Sequence, residues 1–353
     1  MKIVDLRPLM VRCFSRSDKR PARPHVLGRL AGFVSDGIIS RRVSRRPKPG
    51  ERPLLVSVGN LALGGTGKTP VVMALAEDLA AAGLQGAVLT RGYGSSLPGP
   101  LVVQADNQLA GDEARMMAQR LDSTGWPVIQ SRNRPRGLEF LKKLSPDLQI
   151  ILLEDAFQTG GLARHVDLVI LDSWLVDSRG GQSILQPLTG SVFPFGPWRE
   201  TAGGADRASA LLVESEAELP EVSFHGQPVF SFRRFVELRH VSGPAVGTEA
   251  RNCALVSGIA RPEKFEAAAL ELLDQPAVLS LRCRDHVNYG QSLVQTILKE
   301  MDETGAETLL TTAKDWVKLS GVWNDSRPVM VLDMELKWAK KDAFNHWLVE
   351  RVL

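Results

Sequence analysis

The run Ala62-Leu-Gly-Gly-Thr-Gly-Lys-Thr69 constrains this chain more than any other feature. It directly follows the apolar stretch Leu54–Val58 and precedes a helix-like stretch from Lys68 to about Ala82, so it is read as a strand-to-helix turn. A glycine-rich turn there lets successive backbone N–H groups converge on phosphate oxygens, and the helix N-terminus adds a favourable dipole. Gly64, Gly65, Thr66 and Gly67 form the expected cradle. Lys68 would reach the β- and γ-phosphates, and the Thr69 hydroxyl would sit on Mg²⁺. The first position is Ala62 where glycine is usual, which asks for an ordinary backbone conformation there.

The surrounding pattern alternates strand and helix. Gly86–Thr90, Ile150–Leu153 and 168–172 read as strands, and Asp112–Leu121 and Arg134–Leu144 as helices. Continuous apolar strands predict an α/β fold: a P-loop NTPase-type parallel sheet with helices on both faces. Ile150-Ile-Leu-Leu-Glu-Asp155 ends such a strand in carboxylates, where ligands of these folds collect, making Asp155 a candidate for the metal. An acidic, proline-interrupted stretch near residues 214–228 marks a boundary, beyond which strands and helices continue as a second, smaller α/β domain. The expected division is an arm over 1–52, a nucleotide-binding domain over 53–222 and the smaller domain over 223–353, joined by linking strands.

Charge is unevenly placed. Residues 1–52 hold 14 Lys and Arg against 4 Asp and Glu, a local charge of +10 in a chain whose net charge is +3. Positions 26, 27, 30, 33 and 34 repeat at helical spacing within this arm, so a basic amphipathic helix facing an anionic partner is expected. The arm has few aromatics to stack on bases, and nucleic acid is not the expected partner. No apolar run is long enough for a spanning helix, and no secretory signal is evident. The 3 cysteines have no metal-ligand spacing and suit a reducing compartment.

Two weaker signals are Gly111-Asp-Glu113 and Asp285-His286. Asp112 and Glu113 at a helix start read first as capping residues, because carboxylates satisfy the free N–H groups of a first turn. An aspartate beside a histidine can orient an imidazole, but the pair alone does not define a site.

Taken in order, these blocks resemble the tetraacyldisaccharide 4′-kinases of lipid A biosynthesis. The likeness runs from Val56-Ser-Val-Gly-Asn60 through the loop to Pro70, then Thr90-Arg-Gly-Tyr-Gly94, Gly111-Asp-Glu113 and Glu154-Asp-Ala-Phe-Gln158. It continues through Phe195-Gly-Pro-Trp-Arg-Glu200, Ser257–Phe265, Asp285-His286 and Thr311-Thr-Ala-Lys-Asp-Trp-Val-Lys318. The resemblance implies transfer of the ATP γ-phosphate to the 4′-hydroxyl of an acylated glucosamine disaccharide 1-phosphate. It implies Asp112 as catalytic carboxylate with His286 its partner, beside Lys68. Thr69, Asp155 and Glu200 become metal candidates, Gln158 and Arg199 phosphate-shell candidates, and Asn60, Arg91, Tyr93 and Glu113 substrate candidates. A lipid substrate further implies a cytoplasmic enzyme held peripherally at the inner face of the inner membrane by its arm.

This chain is a divergent member of the pattern. The family usually shows Asp-Asp-Gly-Phe-Gln-His where Glu154-Asp-Ala-Phe-Gln-Thr159 stands. Two other readings are carried beside the kinase. A partner-binding switch ATPase shares the loop but typically has lysine before the two glycines, where Leu63 stands; a non-catalytic lipid-binding relative would be expected to lose Lys68, Thr69, Asp112, Asp155 or His286.

Overall fold

A computed structural model describes residues 1–6, 39, 43, 47–48, 50–62, 67–171, 176–179, 182–185, 192–193, 198–215, 223–224, 226–246 and 250–352. The predicted amphipathic helix of the arm lies outside these residues.

The centre of the molecule is β2 (Leu54–Asn60), a fully buried strand preceded in the chain by the short β1 (Lys2–Asp5). Parallel to β2 lie β6 (Ile150–Glu154) on one side and β7 (Val166–Leu171) on the other. Beyond β6 come β3 (Gly86–Thr90) and β5 (Val128–Gln130), with β4 (Leu101–Val102) antiparallel at the rim. Period-two alternation explains the two covered faces. Ile150 and Leu152 of β6 pack with α1 (Lys68–Ala81) and α2 (Asp112–Leu121), whereas Ile151 and Leu153 pack with α3 (Arg134–Leu144). Each such buried aliphatic side chain contributes roughly 1.5–3 kcal/mol relative to exposure.

Past β7 the sheet continues through β10 (Ala210–Glu214) to β12 (Gln227–Ser242), while β8 (Val176–Arg179) and β9 (Gln182–Leu185) form a separate hairpin and β11 (Ser223–Phe224) pairs with β12. The chain then builds its second half from β13 (Cys253–Ser257), α4 (Pro262–Leu272), β14 (Leu279–Arg282), α5 (Gln291–Thr304), β15 (Thr308–Thr312) and α6 (Ala313–Leu319). It closes with β16 (Val329–Trp338) and α7 (Lys341–Val352).

The two halves are joined as one 14-stranded sheet by β12 and β16, antiparallel from Phe232↔Trp338 to Ser242↔Val329. The expected linking strands include one long strand, β12, because β16 supplies a ladder partner through Arg233 and Arg234 in its middle. The terminal helix α7 crosses back, with Phe344 and Leu348 in the same core as Val56 and Leu75. At the far edge, Lys2–Asp5 pairs in parallel with β14, so the chain's first residues belong to the sheet. Arg115 fastens the halves beside the site: its Nη2 donates to Val317 O at 2.6 Å and its Nε to Ala105 O at 2.8 Å.

Candidate functional site

Strands β2, β3 and β6 end on the same edge of the sheet, and their last residues converge there. Gly67 caps α1 with φ 78°, a left-handed conformation that glycine adopts freely. Of the predicted phosphate cradle, Gly64, Gly65 and Thr66 lie outside the described residues. Arg234, a residue without a sequence signal, pairs with Glu214 and places its Nη1 2.8 Å from where a Cβ at Gly67 would stand.

Lys68 Nζ donates to Asn60 Oδ1 at 3.4 Å and lies 3.6 Å from Asp155 Oδ1. Asn60 is buried, and its Nδ2 donates to Ala62 O at 2.7 Å, so it ties the start of the loop to the lysine. Asp155 also takes Arg199 Nη1 at 2.9 and 3.2 Å on its two oxygens. Burial opposes its ionisation, but Lys68, Arg199 and Arg134 outweigh burial and hold its carboxyl below the usual range.

The departures from the family pattern find local explanations. Glu154 is buried and uses its longer side chain to accept from two hydroxyls, Thr69 Oγ1 at 2.9 Å and Thr90 Oγ1 at 2.5 Å. The left-handed backbone falls on Asp155 (φ 49°) rather than on Ala156, which is fully buried in the core beneath α3. Thr159 Oγ1 accepts from Arg134 Nη1 at 3.1 Å. Arg134 itself sends Nη2 to the carbonyls of Glu154 and Asp155 at 2.6 and 2.7 Å. It braces the strained turn from below, since a non-glycine residue with positive φ costs about 1–3 kcal/mol.

Gln158 bridges two parts of the site, with Nε2 donating to Asn60 O at 2.9 Å and to Glu200 Oε1 at 2.7 Å. Glu200 is fully buried, and its other oxygen accepts from Arg207 at 2.6 Å. Both its oxygens are thus engaged by protein groups that set the position of Gln158.

The capping reading of Asp112 changes with the structure. Gly111 occupies the N-cap, and Asp112 is the first helical residue. Its Oδ1 accepts from Glu113 N at 3.0 Å, leaving Oδ2 for His286 Nδ1 at 3.0 Å. Lys318 and Lys314 approach the same oxygen at 3.5 and 3.8 Å. Burial opposes ionisation of Asp112, yet the His286 bond and the two lysines hold its carboxyl far below the usual carboxylate range. His286 is pushed up by its bond to Asp112, against burial and Lys314. Its φ of 56° is held by backbone contact, since its N–H donates to Gly258 O at 3.2 Å while Gly258 N donates to buried Asp315 Oδ2 at 2.9 Å.

Glu113 joins the two clusters: its Oε2 lies 3.5 Å from Thr69 Oγ1 and its Oε1 3.8 Å from Lys314 Nζ. Burial and the charge of Glu154 push its carboxyl up. Tyr93, 72% exposed, stands over His286 with ring centroids 5.5 Å apart, and Arg91 is exposed on the same loop. Arg134 lies in no motif, and Glu154, Lys314 and Lys318 lie in the blocks Glu154–Gln158 and Thr311–Lys318 without a role that the sequence assigns them; the spacing of the two lysines on a helix is the signal that could have given them one.

With this geometry in hand, likenesses to known proteins are specific. The family model for tetraacyldisaccharide-1-P 4′-kinase matches residues 38–353. The tetraacyldisaccharide 4′-kinase of Paramagnetospirillum magneticum is 33% identical over 323 residues, covering 88% of this chain and 89% of the relative. That of Rhodospirillum rubrum is 32% identical over 333 residues, covering 91% and 92%. Among solved structures, LpxK from Aquifex aeolicus in complex with ATP has the same fold, with a TM-score of 0.67, 24% identity, and coverage of 91% of this chain and 97% of that one.

Proposed function

The chain belongs to the tetraacyldisaccharide-1-P 4′-kinase family, and we infer that it transfers the γ-phosphate of ATP to the 4′-hydroxyl of an acylated glucosamine disaccharide 1-phosphate. One observation carries the assignment of its site residues. Asp112, paired with His286, is followed by Glu113, whose carboxylate reaches the Thr69 hydroxyl at the end of the phosphate loop. A proton acceptor and a phosphate-binding centre are thus one residue apart.

In this reading Asp112 accepts the hydroxyl proton as the sugar oxygen forms its bond to the γ-phosphorus. The bond from phosphorus to the β–γ bridging oxygen breaks, and its electron pair leaves with ADP. Lys68, Arg199 and Gln158 hold the phosphates, Asn60 aims Lys68, and Arg91, Tyr93 and Glu113 face the lipid headgroup. Phosphoryl transfer depends mostly on positioning and charge neutralisation, so Lys68 matters at least as much as Asp112.

Mg²⁺ fits the donor set beside the loop. Thr69 Oγ1 and Glu154 Oε1 are hard oxygens 2.9 Å apart, with Asp155 next along the chain. Among the described residues no three His, Cys, Asp or Glu side chains could hold a metal by themselves. That suits an ion held by one or two protein oxygens, phosphates and water. When bound it would neutralise charge on the β- and γ-oxygens. Glu200 enters through Gln158, which it orients.

The described residues include no helix long and apolar enough to cross a membrane. Peripheral attachment through the basic arm, at the cytoplasmic face where the substrate headgroup lies, follows from its charge of +10 at roughly 1 kcal/mol per basic residue near anionic lipid. Because residues 2–5 form β1, the test replaces Arg12, Arg16, Arg20, Arg23 and Arg29 with Gln and keeps the strand. Retained sedimentation with anionic liposomes would exclude the arm. For the kinase itself, purified protein with γ-labelled ATP, Mg²⁺ and the lipid disaccharide monophosphate in mixed micelles is expected to give labelled lipid; label confined to inorganic phosphate would exclude it.

A further inference from the structure

Helix α6 brings two lysines, one turn apart, onto the Asp112–His286 pair from the second half of the chain. Lys314 Nζ lies 3.4 Å from His286 Nε2, and Lys318 Nζ lies 3.5 Å from Asp112 Oδ2 and 3.6 Å from buried Asp315 Oδ1. An ammonium group carries donors only. The contact is a hydrogen bond only where His286 Nε2 presents a lone pair. The single ring hydrogen of the neutral imidazole then sits on Nδ1 and is donated to Asp112 Oδ2.

We propose that Lys314 is a positioning residue of the phosphoryl transfer: its ammonium selects this tautomer and keeps His286 neutral, so that Asp112 is the group that receives the hydroxyl proton. The proposal rests on the kinase reading above. Its physical basis is the contact itself. A second proton on Nε2 would set an imidazolium against an ammonium 3.4 Å away. With the ring neutral, Asp112 keeps a hydrogen bond from His286 and its ion pair with Lys318, and the one proton it takes up comes from the substrate hydroxyl.

The charges facing His286 oppose one another and the net push is upward, so Lys314 is the charge that works against protonation of the ring. Around His286 stand Asp112, Lys314 and Asp285, whose Oδ1 is 3.9 Å from Nε2, together with the Tyr93 ring. Around Asp112 stand His286, Lys314, Lys318 and, through space, Arg115 and Glu113. Lys314 is the group among these that touches the outer ring nitrogen with a positive charge. Its other neighbours, Glu113 Oε1 at 3.8 Å and Asp285 Oδ1 at 3.7 Å, hold it in place.

The test is the pH profile of kcat/KM for the full chain with ATP, Mg²⁺ and the lipid disaccharide monophosphate. Lys314→Gln is expected to move the acid limb upward by ~1 pH unit and to recover activity on the alkaline side. Lys314→Arg keeps the charge and should leave the limb near that of the unaltered protein. A loss of equal size at every pH, or an unmoved limb, would overturn the proposal. Ring ¹⁵N spectra of the unaltered protein give an answer that needs no variant. Above the limb, His286 should carry its proton on Nδ1 with Nε2 bare, and a proton on Nε2 contradicts the idea. Failure of the unaltered protein to phosphorylate lipid would count against the kinase reading instead, with the tautomer still measured by the spectra.

Discussion

His286 Nδ1 and Asp112 Oδ2 meet at 3.0 Å although 174 residues separate them in the chain. Asp112 starts α2 in the first half, and His286 follows β14 in the second. Their contact depends on β12 and β16 carrying both halves as one sheet, and on Arg115 fastening α2 to α6. The candidate base is complete only in the assembled molecule.

Asp112→Asn keeps the shape of this contact and removes its charge. Loss of a positioned proton acceptor predicts a fall in kcat of about 10²–10⁴-fold. Stability supplies a second readout with a definite sign. The folded-state carboxyl titrates below its unfolded value of 3.8, so its stabilisation is fully present above pH 3.8 and is lost as pH falls toward the folded value. The difference in Tm between the two proteins should therefore be largest near neutrality and shrink below pH 3.8.

Lys68→Ala and Thr69→Ala remove charge and a hydroxyl from the phosphate end. Each is expected to lower kcat by about 10²–10³-fold or more, as for other preorganised electrostatic groups. Labelled-phosphate transfer at saturating ATP measures this, and Lys68→Ala should be no milder than Asp112→Asn.

Arg134→Met leaves the carbonyls of Glu154 and Asp155 and the Thr159 hydroxyl without the donor they share. Unsatisfied buried groups of this kind cost about 1–3 kcal/mol each. Denaturant unfolding should show a lowered midpoint, and release of the Asp155 turn should weaken ATP binding in calorimetry.

Gly111→Ala tests the approach of the Tyr93 loop to α2. A Cβ there would lie 2.6 Å from Tyr93 O, a backbone atom that cannot swing aside. The loop must shift, costing about 1–3 kcal/mol, and the lipid KM should rise while the Kd for ATP stays nearly constant.

Much of this was readable in the sequence because it is local. Gly86–Thr90, Asp112–Leu121 and Arg134–Leu144 occupy the spans their periodicity predicts. The apolar β10 escaped notice although its five residues are mostly buried, because no turn signal sets it off from the acidic stretch that follows. β1 is four residues long, with two of them exposed, and its identity depends on β14 almost the whole chain away. At the site, the loop motif marked Lys68 and Thr69, whereas Asp112 and His286 became candidates only through the family resemblance. Arg134 and Lys314 act through what the fold places opposite them, and no spacing in the chain encodes a partner in another half of the molecule.

Phosphorus NMR of the lipid product shows which hydroxyl receives the phosphate. Incubation of the unaltered protein with ATP, Mg²⁺ and the disaccharide 1-phosphate should add a second phosphomonoester signal coupled to the sugar proton at the 4′ carbon, absent with Lys68→Ala. ATP consumed with only the original 1-phosphate signal on the lipid, or a new phosphate on another hydroxyl, would contradict the account.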